Sequence, residues 1–401
     1  MLITLLVFIL VLSVLVLIHE LGHFLVAKIF KIKVEEFGFG FPPKVFGIRR
    51  GETLYTLNLF PFGGFVKLYG EDEAGGGRIT NGKLPVLADS PGKIENGKLD
   101  VSRAYFARPA WQRFMVVLAG VVMNTLLAFI IFYIFISFSS FKTILPLLSD
   151  HKFSNVNQTN YNINQQDAVV SVVVPNSPAG SLQMKLPAQM LSVNDEKIDS
   201  REEFVKIINE NKGKEVVIAW KELQSGEVNS AKAIPRKNPP KNEGSLGVAF
   251  FPVALLRYDT VSQKALSGIS YSYDLLTYTF DVMGKLIASS IKSGDARPVG
   301  ESVSGPIGVY SIVGEVLKIK DLKEKTLGIL NLAGALSVSL AFFNVLPIPA
   351  LDGGRLFFII IELVIRRRVN ARIESMAHAI GLAVLMGLLV LITVFDISKL
   401  F

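Results

Sequence analysis

The first eighteen residues, Met1 to Ile18, carry no charge and are almost wholly apolar, and the pattern then breaks into His19-Glu20-Leu21-Gly22-His23. Three more apolar blocks follow, at about residues 112–137, 327–349 and 376–396. Together with the first, at about 2–26, each is long enough to cross roughly 30 Å of hydrocarbon at about 1.5 Å per residue. Leu327 to Leu346 and Ala379 to Phe395 contain no charged residue. Apolar residues gathered in such blocks, not spread over periodic faces, predict four transmembrane helices. The first block lacks a basic n-region and a small-residue cleavage site, so it reads as a retained span. No internal repeat is evident.

Between the blocks the pattern changes period. Leu54-Tyr55-Thr56-Leu57-Asn58-Leu59 alternates as a strand does, and Gly63-Gly64 permits close backbone approach. Gly75-Gly76-Gly77 and the polar run to Asp100 predict a loop. Beyond the second block, Asn155 to Gln166 reads as a linker, within a linker region of 138–166. The next segment, 167–236, predicts a small α+β domain. Its elements are a strand at Val169–Val174, a Pro175–Pro178 turn, a strand at Met190–Val193, a turn at Asp195–Lys197, a helix at Arg201–Asn209 and a strand at Val216–Trp220. Within 237–326, Ile269, Tyr273, Leu276, Phe280, Met283 and Ile287 recur at helical spacing from about Ala265 to Ile291. Asp274, Asp281 and Lys285 make that helix a poor span, which leaves an amphipathic surface helix or a packed helix of the outer domain.

Composition sharpens this picture. Half of the chain is hydrophobic and the formal net charge is +8. No basic face with interleaved aromatics stands out, so nucleic acid is not an expected partner. Lys28, Lys31, Lys33, Arg103, Arg108 and Arg113 flank the first two blocks, and Arg355, Arg366, Arg367, Arg368 and Arg372 lie between the last two. By the positive-inside rule both loops are cytoplasmic, and the termini and residues of about 140–325 lie on the other side. With no cysteine in the chain, any metal must be held by His, Asp or Glu.

The chemistry concentrates in His19–His23. On a helix, positions four apart share a face, so both imidazoles can reach one ion while Glu20 contacts a water beside it. Two of only four histidines stand here, and ionisable groups in a span cost at least about 2.5–3.5 kcal/mol each, which argues against idle surface residues. A catalytic zinc takes three protein ligands and leaves one position open. The third candidate is Asp352, expected at the end of the third span; a helix-terminating Asp-Gly turn is the bland alternative. Asn344, polar within an apolar helix, is a candidate for substrate binding or for a helix–helix hydrogen bond, and Asn124 reads as structural.

HExxH on the first span, with Asn344-Val345-Leu346-Pro347-Ile348-Pro349-Ala350-Leu351-Asp352-Gly353-Gly354 far downstream, resembles the site-2 protease family of zinc intramembrane metalloproteases. The single domain between spans two and three resembles the PDZ domain of the bacterial RseP-like branch. Phe62–Leu68, Ala119–Asn124 and Ser304–Gly308 agree, whereas Val121 stands where the family usually has proline, and Pro187-Ala188 where such PDZ domains place Gly-Asp.

This resemblance implies an α-helical membrane protein: a four-span transmembrane bundle with a re-entrant β-hairpin and an inserted extracytoplasmic PDZ-like α+β domain. The inner (cytoplasmic) membrane is its location, multi-pass in the lipid bilayer, with the active site near the cytoplasmic side. Zinc (Zn2+) would be held by His19, His23 and Asp352, with Glu20 as general base. Asn344, Pro347, Gly63 and Gly64 would handle substrate, the hairpin taking it up by strand addition. Substrates would be single-span membrane proteins such as anti-sigma factors or signal-peptide remnants. The competing readings are a membrane hydrolase of non-peptide substrates, a metal transporter and an inactive PDZ scaffold. A transporter should scatter polar residues through its spans, and a dead scaffold should have lost Glu20 or a ligand.

Overall fold

The computed structural model describes residues 1–71, 94–95, 98–99, 102–163, 167–295 and 297–398. Most of the predicted Gly75–Asp100 loop lies outside the described residues. Helix α1 (Leu2–Ile29) is followed by a long antiparallel hairpin, β1 (Val34–Arg50) and β2 (Thr53–Leu68), a two-residue pair β3 (Ile94–Glu95) and β4 (Lys98–Leu99), and helix α2 (Ala110–Phe138). The hairpin folds back on itself. Residues 34–39 register with 64–68 on one side and 54–57 on the other, and 44–50 pair with 53–58. Residues 64–68 are thus one of its two outer rows, and 44–50 are the other. At its base, Lys28 and Arg103 both bond the Glu52 carboxylate, Lys28 at 2.7 Å and Arg103 at 2.7 and 2.9 Å.

Phe132–Leu286 forms a compact unit of its own. It contains β5 (Lys142–Pro146), β6 (Asn157–Tyr161), β7 (Val169–Val170), β8 (Val172–Val173), β9 (Ala188–Val193) and β10 (Glu196–Lys197). Helix α3 (Arg201–Glu210), β11 (Val216–Glu222), β12 (Val228–Ala233), β13 (Val248–Ala249), β14 (Val253–Arg257) and helix α4 (Val261–Ala265) come next, before helix α5 (Ser267–Ser293). One sheet runs β10-β9-β11-β12 with β7 also on β9, a second runs β5-β14-β6, and β13 pairs with β8. Ser200 caps α3 by accepting from Glu203 N–H at 3.2 Å while the Glu203 carboxylate accepts from Asp199 N–H at 2.9 Å. The apolar stripe so started, Phe204, Ile207 and Ile208, is buried with Met190, Val193, Ile218 and Trp220.

Two expectations need correction here. The stretch read as a linker carries β5 and β6, which are paired with β14. The domain also does not stop near Arg236: Leu246 is in its core and β13 completes it. In α5, Tyr271, Asp274 and Tyr278 are buried while Ile269, Tyr273, Phe280 and Ile287 are exposed, so the helix is packed on one face and apolar on the other.

The chain continues with α6 (Arg297–Ser302), α7 (Pro306–Lys318), α8 (Leu322–Phe343), α9 (Asp352–Ile365) and α10 (Ala371–Ser398). Asp396 accepts from the N–H groups of Gly305 and Gly308 at 3.0 and 2.7 Å, so a carboxylate on α10 caps α7 through the Ser304–Gly308 motif. The helices long and apolar enough to cross a membrane are Leu2–Ile29, Ala110–Phe138, Leu322–Phe343 and Arg372–Ser398, matching the four predicted blocks. The third block is corrected at its end. It stops at Phe343, not 349, because Pro347 and Pro349 cannot continue the helical ladder. Asp352 therefore opens α9 instead of closing α8.

Candidate metal centre and active site

Helices α1, α2 and α9 meet where the core residues Ala27, Val34, Leu68, Val116, Val117, Leu356 and Ile359 pack together. Two ion pairs fix α9 in place: Arg113 on α2 with Glu362 at 2.6 Å, and Arg355 with Glu71 at 2.8 Å. Burial pushes the Glu71 carboxyl upward, and Arg355 opposes that shift.

Above this floor His19 Nε2 lies 2.9 Å from Asp352 Oδ2, His23 Nε2 lies 3.2 Å from the same oxygen, and the two Nε2 atoms are 3.2 Å apart. His23 Nδ1 donates to the Val116 carbonyl at 2.8 Å, which leaves its Nε2 with a lone pair. With His19 in the tautomer that keeps its proton on Nδ1, three acceptor atoms meet around one point with no donor between them. A cation resolves that repulsion, and two imidazoles with one carboxylate are a donor set for zinc. His19, His23 and Asp352 are the cluster among the described residues able to hold a metal ion.

The α1–α2 contact is close because Gly120 faces the histidines: a Cβ there would stand 2.6 Å from His23 Nε2 and 2.7 Å from His19 Cε1. Asn124, one turn on and 1% exposed, reaches His19 Nδ1 with its amide nitrogen 3.3 Å away. It was expected to be structural, and the proximity could not be read from the sequence.

Glu20 lines two cavities. One, of about 250 Å³, is shared with His23, Phe65, Glu71, Asp352 and Arg355. The other, of about 220 Å³, includes His19, Asn124, Asn344 and Asp352. Gly64 belongs to an outer row of the hairpin, and a Cβ built on it would be 3.5 Å from Glu20 Cγ. Gly63, at φ +84°, lies against Phe41 and Val16. Pro347 is exposed and lines neither cavity. Thus Glu20, His19, His23, Asp352, Asn344 and Gly64 are brought together, and Pro347 is not.

Apolar spanning helices around a buried metal-binding cluster with an adjacent glutamate define a class, the membrane metalloproteases. The chain matches the model of peptidase family M50 over residues 7–388 and belongs to that family, the site-2 proteases; it is a zinc metalloprotease. A Clostridium perfringens (strain 13 / Type A) relative is 33% identical over 386 residues, 96% of both chains. The regulator of sigma-W protease RasP of Bacillus subtilis (strain 168) is 28% identical over 459 aligned positions, 99% of both. The zinc metalloprotease RasP of Geobacillus kaustophilus (strain HTA426) is 27% identical over 456, covering 98% of this chain and 97% of the relative.

Proposed function

We propose that this protease hydrolyses peptide bonds in or beside the transmembrane segments of single-span membrane proteins, as a step of regulated intramembrane proteolysis. The observation that carries the reading is the convergence of His19, His23 and Asp352 from positions up to 333 residues apart, beside Glu20 and inside apolar helices. His19, His23 and Asp352 would hold the zinc. When bound, zinc supplies Lewis acidity that polarises a scissile carbonyl and acidifies water. Glu20 takes the proton from the attacking water and returns it to the leaving amine. Asn344, across the second cavity from Glu20, bonds the substrate backbone.

A helical substrate hides its amides, so cleavage requires an extended segment. The outer row at 64–68 receives it by strand addition next to Glu20. A re-entrant setting for the hairpin is supported by two observations. Ser13, midway along α1, donates to the Pro61 carbonyl at 2.5 Å. Phe41, Val45, Phe46, Ile48, Leu59 and Phe60 are exposed along the hairpin, as lipid-facing residues would be.

The flanking basic residues favour an inner-membrane enzyme whose active site is near the cytoplasmic side. The α+β domain acts outside as a PDZ-like gate, excluding substrates whose ectodomains have not been trimmed. By analogy with the RasP relative, an anti-sigma factor is the expected kind of substrate, and signal-peptide remnants are a second kind.

The test is Glu20→Gln. It should keep about one zinc per chain and lower cleavage of a model single-span protein by about 10²-fold or more. Cleavage at the wild-type rate would remove Glu20 from the mechanism.

A further inference from the structure

The turn from Asn344 to Leu351 carries Asp352 to the histidines, yet it has little to anchor it. Pro347 and Pro349 have no backbone N–H. Ile348 N–H donates to the Leu346 carbonyl at 2.6 Å and Leu351 N–H to the Ile348 carbonyl at 3.2 Å, both within the turn itself. Ala350 N–H instead leaves the turn and donates to His378 Nδ1 on α10 at 2.8 Å. A partly buried N–H needs such a partner.

Ala350 also has φ +78°, a left-handed conformation that a residue with a Cβ keeps only when its surroundings impose it. One turn along the same face of α10, Gly381 brings the helix onto the turn again: a Cβ there would stand 2.5 Å from the Pro349 carbonyl oxygen. His378 is itself 9% exposed, and its ring centre is 5.9 Å from that of Phe358 on α9. Ala350 lines both cavities and is two residues from Asp352. A shift at Ala350 therefore moves the carboxylate.

We propose that His378 is a positioning residue: by accepting the Ala350 N–H, it fixes the turn that presents Asp352 to His19 and His23. The proposal rests on Asp352 being a zinc ligand. It gives α10 a part in the metal site although α10 contributes no ligand.

The experiment measures zinc affinity of the purified full-length protein by competition with a chelating fluorophore. His378→Phe keeps a ring and loses the acceptor. His378→Asn carries Oδ1 on Cγ, where Nδ1 is attached, and His378→Gln places its acceptor one bond farther out. Phe and Gln variants should bind zinc about tenfold more weakly, with the Asn variant within about twofold of wild type. Wild-type affinity in His378→Phe, or an Asn variant as weak as the Gln variant, overturns the proposal. If the Phe variant does not fold, the Asn–Gln pair decides alone. Asp352→Ala is measured in parallel. If it binds zinc like wild type, the ligand assignment falls and this proposal with it; if it loses zinc while His378→Phe does not, only the positioning role falls.

Discussion

Replacing Asn124 by leucine tests how the zinc ligands are oriented. The backbone at Asn124 is held: its carbonyl accepts from Ser337 Oγ at 2.8 Å, which ties α2 to α8, and Ser337 is fully buried. Its carboxamide faces His19 Nδ1. Zinc on Nε2 leaves the proton on Nδ1, and a half-turn of the amide offers it Oδ1, an atom with no other partner among the described residues. Leucine matches the volume but accepts nothing. An imidazole N–H left buried and unpaired costs about 1–3 kcal/mol. At about 1.4 kcal/mol per decade, that is about a five- to 150-fold loss of zinc affinity. Deleting such orienting partners typically costs about ten- to a hundredfold, which falls within that range. Asn124→Asp keeps the acceptor and adds charge, so it should bind zinc at least as tightly as wild type. Chelator competition gives both affinities. A leucine variant with wild-type affinity, or an aspartate variant as weak as leucine, would refute the reasoning.

Three other outcomes are expected. Gly64→Val should slow cleavage while zinc content and thermal unfolding stay near wild type, because its branched side chain projects between the Gly38 carbonyl and Glu20; normal cleavage would take the hairpin out of substrate handling. Asp352→Ala should lose zinc, whereas Asn344→Ala should keep it and turn over more slowly, and equal zinc loss in both on titration would make Asn344 a structural residue. Deleting residues 167–249, bounds that respect the β8–β13 pairing, should leave zinc content unchanged and permit cleavage of untrimmed single-span proteins. Loss of cleavage of trimmed proteins in a folded deletion variant would instead mean that the domain recruits substrate.

The spans and the HExxH helix are legible in the chain because a long apolar run decides its own structure. Strands β9 and β11 are legible for a related reason: Val216–Trp220 and Met190–Val193 are rich in residues that fill a pleated surface. Where tertiary partners decide, the sequence is silent. Asn157–Tyr161 has no strand composition and is a strand because β14 pairs with it. Helix α9 is too short to register as a span and is flanked by arginines, so Asp352 reads as the end of α8 instead of the start of α9. Asn124 and His378 carry no local motif, and only the packing of α2 and α10 shows what they touch.

The 333-residue gap between His19 and Asp352 has a consequence for how the enzyme is made. On the ligand set proposed above, a growing chain presents both histidines in the first helix to emerge and gains its third donor only once Asp352 has been made. The proposed centre is then a property of the nearly finished polypeptide, and a chain stopped before Asp352 should lack it.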